Sequence, residues 1–226
     1  MMRRRRGFGR VGEVLAALVA GAGCASEGGG SATTGAMPPV SAERCIVRLH
    51  GKGDQGGDST VEDGIATIRP SGNAAGWGKR QWLYFPDDRY DEARAIVEAA
   101  LDSVGCRSAV ITGFSNGGSF AAKLYCRGET FAGRVVGYVI DDPVTDSAVL
   151  PCEPAQRVKA ALYWTGVLAD SAPAGAICSA IDWTCEGDES IGIDAYAAAL
   201  GLPIQNSPQA EHLPYTDAPE LRIWLE

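Results

Sequence analysis

A serine in a tight glycine turn, a histidine near the end of the chain and several aspartates between them could together perform acyl transfer. The serine is Ser115, in the run Gly113-Phe114-Ser115-Asn116-Gly117-Gly118. A turn that sharp leaves no room for a Cβ at Gly113 or Gly117. It also forces Ser115 into a strained conformation that lifts its Oγ clear of the backbone. A helix starting there aims its N-terminal N–H groups at any oxyanion developing beside the serine. A serine hydroxyl needs a base. The chain has two histidines, His50 and His212, and only His212 follows Ser115. It could take the serine's proton and return it to a leaving group, so turnover should fall as acid protonates the ring. The base needs a carboxylate to fix its tautomer and stabilise the imidazolium. Asp188 is the first candidate and Asp170 its main rival, with Asp182 and Asp141 behind them. The competing reading is a glycine-rich connection with an ordinary serine, a surface histidine and carboxylates that cap helices or face water.

The elements that would position these groups can be read from periodicity. Residues 109–112 are a short β-branched run, expected as a buried parallel strand, and 119–126 have helical period, closed by Gly128. Residues 45–49 read as an earlier strand that runs directly into His50-Gly51-Lys52-Gly53. Residues 55–63 are polar and glycine-rich, which predicts a loop, and 64–69 read as the next strand. Trp77, Trp82, Tyr84 and Phe85 follow in an irregular stretch and are expected chiefly in the core. Asp91 reads as the N-cap of a helix whose apolar stripe is Ala93, Ile96, Val97, Ala100, Leu101 and Val104, with Gly105 just past its end. Strands are expected at 134–140 and 158–165, a short helix at 194–200, an edge strand at 202–204 and a final amphipathic helix at 220–225. Alternating strands and helices predict a mostly parallel α/β sheet with helices on both faces and its site at the carboxyl ends of the strands.

The front of the chain reads differently. Arg3 to Arg6 form a basic region, residues 14–20 a short apolar one, and small residues lead to Cys24. This reads as a secretory signal peptide over 1–23. Arg5-Arg6-Gly7-Phe8 resembles a twin-arginine export motif, and Ala22-Gly23-Cys24 resembles the end of a bacterial lipobox, with Gly21 where such signals usually carry Leu. Lipidation at Cys24 would make an extracytoplasmic, membrane-anchored lipoprotein; cleavage near Ala22 would make a secreted protein. Residues 24–40 are too poor in large apolar side chains to order themselves and read as a flexible tether, leaving 41–226 as the folded domain. Residues 1–23 carry five Arg and one Glu, so the chain's net charge of −8 becomes −12 without them. Such an acidic domain is not a nucleic-acid binder. Six further cysteines, Cys45, Cys106, Cys126, Cys152, Cys178 and Cys185, suit disulfides in an exported chain. None is in a CxxC pair, so neither a metal nor another cofactor is expected.

With the Ser-Asn-Gly-Gly turn, its strand and helix, and the later His212 in place, the chain from Cys45 onward resembles the α/β-hydrolase superfamily. The run 113–118, with Leu124 and Cys126 after it, is similar to secreted polyhydroxybutyrate depolymerases and feruloyl-esterase-like proteins. That resemblance implies a serine esterase acting outside the cell on a small-molecule or polymeric ester, with reduced N-terminal strands, since only the tether precedes Cys45. It implies the chain order serine, acid, histidine. Asp188, opening Asp-Glu-Ser-Ile-Gly before a helix, resembles the family's acid. His50-Gly51 resembles its oxyanion loop, with donors at Gly51 or Lys52 and at the N–H of Asn116, and His50 itself structural. It also makes the strands ending at His50 and Ser115 parallel neighbours. Cys45 would then pair with Cys106, and Cys126–Cys152 and Cys178–Cys185 would complete the set. The alternatives are a peptidase or acyltransferase on the same turn, or a non-catalytic surface lipoprotein that uses the fold for binding.

Overall fold

The structure, a computed structural model, describes residues 42–76, 78–167 and 190–226. The leader, the tether, Cys24, Trp77, Asp170, Cys178, Asp182, Cys185 and Asp188 lie outside the described residues.

Among the described residues, nine strands and four α-helices follow in order: β1 Arg44–Leu49, β2 Gly57–Glu62, β3 Ile65–Arg69, β4 Ala74–Gly76, β5 Lys79–Gln81, α1 Asp87–Ser103, β6 Ser108–Phe114, α2 Asn116–Cys126, β7 Val135–Asp141, β8 Lys159–Trp164, α3 Ile193–Leu200, β9 Ile204–Asn206 and α4 Glu220–Ile223. Seven strands form one sheet in the order β2-β3-β1-β6-β7-β8-β9, parallel except for β2 at one edge. This is the mostly parallel α/β sheet that the alternation of strands and helices predicts. Strands β1, β6 and β7 bury most of their residues on both faces, which is why their centres read as apolar runs without alternation.

The two sheet faces have separate cores. Val47, Leu49, Ala109, Ile111, Tyr138 and Ile140 pack with α1 and α2 in the larger one. Their alternating neighbours Ile46, Val110, Val139 and Ala161 pack with Leu221 of α4 and with Leu225 in the other. Helices therefore cover both faces.

Three expectations need correction. Residues 57–62 form an antiparallel edge strand rather than a loop; all six are exposed, so no hydrophobic alternation marked them. Helix α1 starts at Asp87, four residues before Asp91, directly after Pro86 and with two acids in its first turn. Of the aromatics after β5, Trp82 and Tyr84 are buried in the core, whereas Phe85 is exposed.

Cys45 and Cys106 are disulfide-bonded with Cα atoms 6.0 Å apart, and Cys126 is bonded to Cys152. The first bond follows from register: Arg44 pairs with Ser108 and Cys45 with Ala109, so both cysteines sit at the amino-terminal end of adjacent parallel strands. Two disulfides suit an extracytoplasmic protein. The first closes a loop of sequence separation 61, for which chain entropy predicts a stabilisation of about 4 kcal/mol. Replacing both Cys45 and Cys106 by Ala should lower the unfolding free energy by about that amount in chemical denaturation; an unchanged midpoint would contradict it.

Candidate active site

The serine turn is built by close backbone approach. Ser115 adopts φ 53° and ψ −118°, a left-handed conformation unusual for a residue with a side chain. A Cβ on Gly113 would lie under 3.0 Å from the carbonyl of Gly117, and one on Gly117 would lie as close to the carbonyls of Leu49 and His50. Both glycines are therefore required so that β6 can turn into α2 beneath the end of β1. The Ser115 N–H donates to the Asp141 carbonyl at 3.0 Å, tying the turn to the end of β7. Asn116, the first residue of α2, is fully buried. Its side chain accepts from the Trp82 N–H at 2.7 Å and donates to the Trp82 carbonyl at 2.9 Å, which fixes the start of the helix. The backbone N–H of Asn116 belongs to the first turn, whose donors have no partner within the helix.

Gly51 lies directly against this turn. A Cβ there would be 3.3 Å from the Phe114 ring and 3.4 Å from the Ser115 Cβ. The neighbouring His50 is held on both ring nitrogens: Nδ1 lies 2.8 Å from the Gly51 carbonyl, and Nε2 accepts from the Gly72 N–H at 3.0 Å. Nδ1 therefore carries the proton and donates. Burial pushes the His50 pKa below its usual value, so the ring stays neutral. His50 braces the loop that places Gly51 and Lys52.

His212 lies on the segment after β9, and its ring packs on Phe114, the residue before Ser115, at 4.5 Å between centroids. Its Nδ1 meets Asp142 Oδ2 at 2.5 Å. Asp142 is 0 % exposed, and its oxygens also accept from the Thr165 N–H at 3.1 Å and the Thr165 hydroxyl at 2.7 Å. A buried carboxyl group that accepts from three donors is fixed in place and orients the ring. Nδ1–H is thus committed to Asp142, leaving Nε2 as the acceptor.

Among the described residues, the carboxylate that meets His212 Nδ1 is Asp142; the acid was expected at Asp188 or Asp170. Those two residues lie outside the described ones, and the Nδ1 position is already occupied from the end of β7 rather than the end of β8. The sequence signal was the Asp141-Asp142 pair closing a buried strand. The side chains of the two diverge: Asp142 meets His212, whereas Asp141 Oδ2 accepts from the Tyr215 N–H at 2.6 Å and anchors the segment after His212.

Asp141 is 1 % exposed, and its Oδ1 has no hydrogen-bond partner among the described residues. Burial pushes its carboxyl up to about 7; the Tyr215 N–H opposes the shift and the charge of Asp142 adds to it. Below about pH 4 the carboxyl is protonated both folded and unfolded. Between there and about 7 the unfolded chain ionises first, so folding loses stability as pH rises. Relative to Asp141→Asn, the protein should lose about 2–3 kcal/mol of unfolding free energy between pH 5 and pH 8. Denaturation curves that shift in parallel for the two proteins would refute this.

No protein-family model matches the chain, and no curated protein matches it. Among solved structures, the carboxylesterase of Bacillus cereus is similar at 16% identity and TM-score 0.48, covering 77% of this chain and 83% of its own. A protein of unknown function from Agrobacterium tumefaciens gives 16%, 0.45, 79% and 87% for the same quantities. An esterase of Pyrococcus furiosus gives 15%, 0.33, 46% and 44%. At that level of likeness, neither the activity nor the substrate of any of them passes to this chain.

Proposed function

We propose that this chain is an exported serine hydrolase that cleaves carboxylic esters through Ser115, His212 and Asp142. The observation that carries the reading is the His212–Asp142 pair: a buried, fully hydrogen-bonded carboxylate fixes a histidine whose ring rests on the residue preceding a strained serine. That serine, histidine and aspartate share one end of the sheet although 70 residues separate the last two.

In this reading Ser115 Oγ attacks the ester carbonyl while His212 Nε2 takes its proton. The tetrahedral oxyanion is held by the N–H of Asn116 and that of Gly51 or Lys52. His212 then gives the proton to the departing alkoxide, leaving an acyl-enzyme and a free alcohol. Water, deprotonated by His212, attacks the acyl carbon, and the proton returns to Ser115 as the acid departs. Asp142 holds the ring through Nδ1 and stabilises the imidazolium. No cofactor or metal is needed for any step. The basic and apolar leader and Cys24 support export, with a lipid on Cys24 as the membrane tether.

The test is a matched panel of short-chain esters and peptides with the intact protein and Ser115→Ala. Ester hydrolysis that falls at least about 10³-fold in the variant is expected. Turnover of peptides alone would replace esterase by peptidase. Turnover that survives the substitution, or no turnover of either class, would overturn the proposal.

A further inference from the structure

A cavity of about 200 Å³ lies against the serine turn, with Gly51 and Phe114 in its wall. Arg48 of β1 and Arg69 of β3 also line it, as do Asp141 and Tyr215. Arg48 alternates with Val47 and Leu49, so it shares the face of Ile46, opposite α1 and α2.

Both guanidiniums are half-buried, and among the described residues neither has a carboxylate at ion-pair distance. Each donates to a backbone carbonyl instead: Arg48 to Thr216 at 2.8 Å and Arg69 to Asp58 at 3.1 Å. Burial first, and the charge of Arg69 second, lower the pKa of Arg48 from its ordinary value, with Asp217 working against them. Two like charges drawn out of water beside a cavity are unfavourable until an anion joins them, and a planar guanidinium is the group best shaped for a carboxylate. Glu62 and Asp217 line a second cavity of about 240 Å³ with both arginines; Glu62 is paired with Arg222 at 3.8 Å, and Asp217 is not at ion-pair distance of either arginine. Asp54, at the rim, is paired with Lys79 at 3.5 Å, and Asp141 is turned to the Tyr215 N–H.

The spacing fits a substrate arm. Arg48 is in register with Thr112, three residues before Ser115, which is about 10 Å of strand rise. A short dicarboxylic chain attacked at one end by Ser115 could place its other end at the arginines.

We propose that Arg48 and Arg69 form an anion-reading subsite, and that the ester preferred here is the half-ester of a short dicarboxylic acid, its free carboxylate held by the two guanidiniums. The proposal rests on the hydrolase reading above and adds the substrate class to it.

Methyl hexanoate and monomethyl adipate differ mainly in that terminal carboxylate. The intact protein should hydrolyse the half-ester with at least tenfold higher kcat/KM, and adipate should inhibit competitively. Arg69→Gln should lose at least tenfold on the half-ester, mainly through KM, and stay within twofold on methyl hexanoate. Raising the salt from 0.05 to 0.5 M should reproduce part of that loss without any substitution, so a poorly folding variant does not remove the test. Turnover of methyl hexanoate with no half-ester preference and no effect of adipate would overturn the subsite while leaving the hydrolase intact. Non-competitive inhibition by adipate without half-ester preference would overturn the substrate assignment. No turnover of either ester would defeat the hydrolase reading instead. Calorimetry with adipate on the intact protein and Arg69→Gln then decides the anion site alone: binding lost in the variant sustains it, and no binding refutes it.

Discussion

Asp142→Asn should lower ester turnover by about 10⁴-fold while leaving the protein folded, the loss incurred when a triad carboxylate becomes an amide. The substitution keeps the shape of the side chain. Its N–H₂ group, however, can face His212 Nδ1 only if that nitrogen gives up its proton, which puts the proton on Nε2. The nitrogen that should accept from Ser115 is then a donor, and the imidazolium also loses its counter-charge. The buried amide must still satisfy the Thr165 N–H and hydroxyl, so folding should be verified by circular dichroism at the assay temperature. The same substitution at Asp188 or Asp170 should change turnover by no more than a few-fold. A loss below tenfold at Asp142, or a large one at either of the others, would move the acid away from the end of β7.

Gly113→Ala should cost about 3 kcal/mol or more of unfolding free energy, at the upper end of what overpacking costs in a close-packed core. The added methyl would meet the backbone of Gly117 and Gly118, which cannot rotate aside as a side chain would. Relief would require α2 to lift from β6. All eleven residues of that helix are buried, so the movement would disturb the main core and the position of Ser115 together. Denaturant titration measures the effect. A loss under 1 kcal/mol with normal activity would mean that the turn is looser than the geometry requires.

Local chemistry explains which features were legible in the sequence. The serine turn could be read because two glycines, a β-branched strand and a helical period coincide within a dozen residues, and each is demanded by the same backbone geometry. Cys45–Cys106 follows from the resemblance, which makes the strands ending at His50 and Ser115 parallel neighbours. Strand β2 was missed because an exposed edge strand has no buried face to impose alternation. The start of α1 was misplaced because a proline and two acids give a weaker signal than the apolar stripe, which begins later. The expected acids Asp188 and Asp170 lie outside the described residues, whereas the carboxylate that meets His212 closes β7. The choice between the ends of β7 and β8 depends on where the segment carrying His212 folds back, and that contact spans 70 residues. No local pattern encodes it. Asp141 and Asp142 show the limit most clearly: adjacent in sequence, one anchors the Tyr215 backbone and the other orients the imidazole.

The central claim is that Ser115 is an activated nucleophile. Incubating the folded protein with a fluorophosphonate and mapping the adduct by mass spectrometry tests this without knowledge of the substrate. The account predicts one phosphonylated residue, Ser115, with labelling abolished in His212→Ala and strongly slowed in Asp142→Asn. Folded protein that stays unlabelled at Ser115, or labels at the same rate without His212, would contradict it.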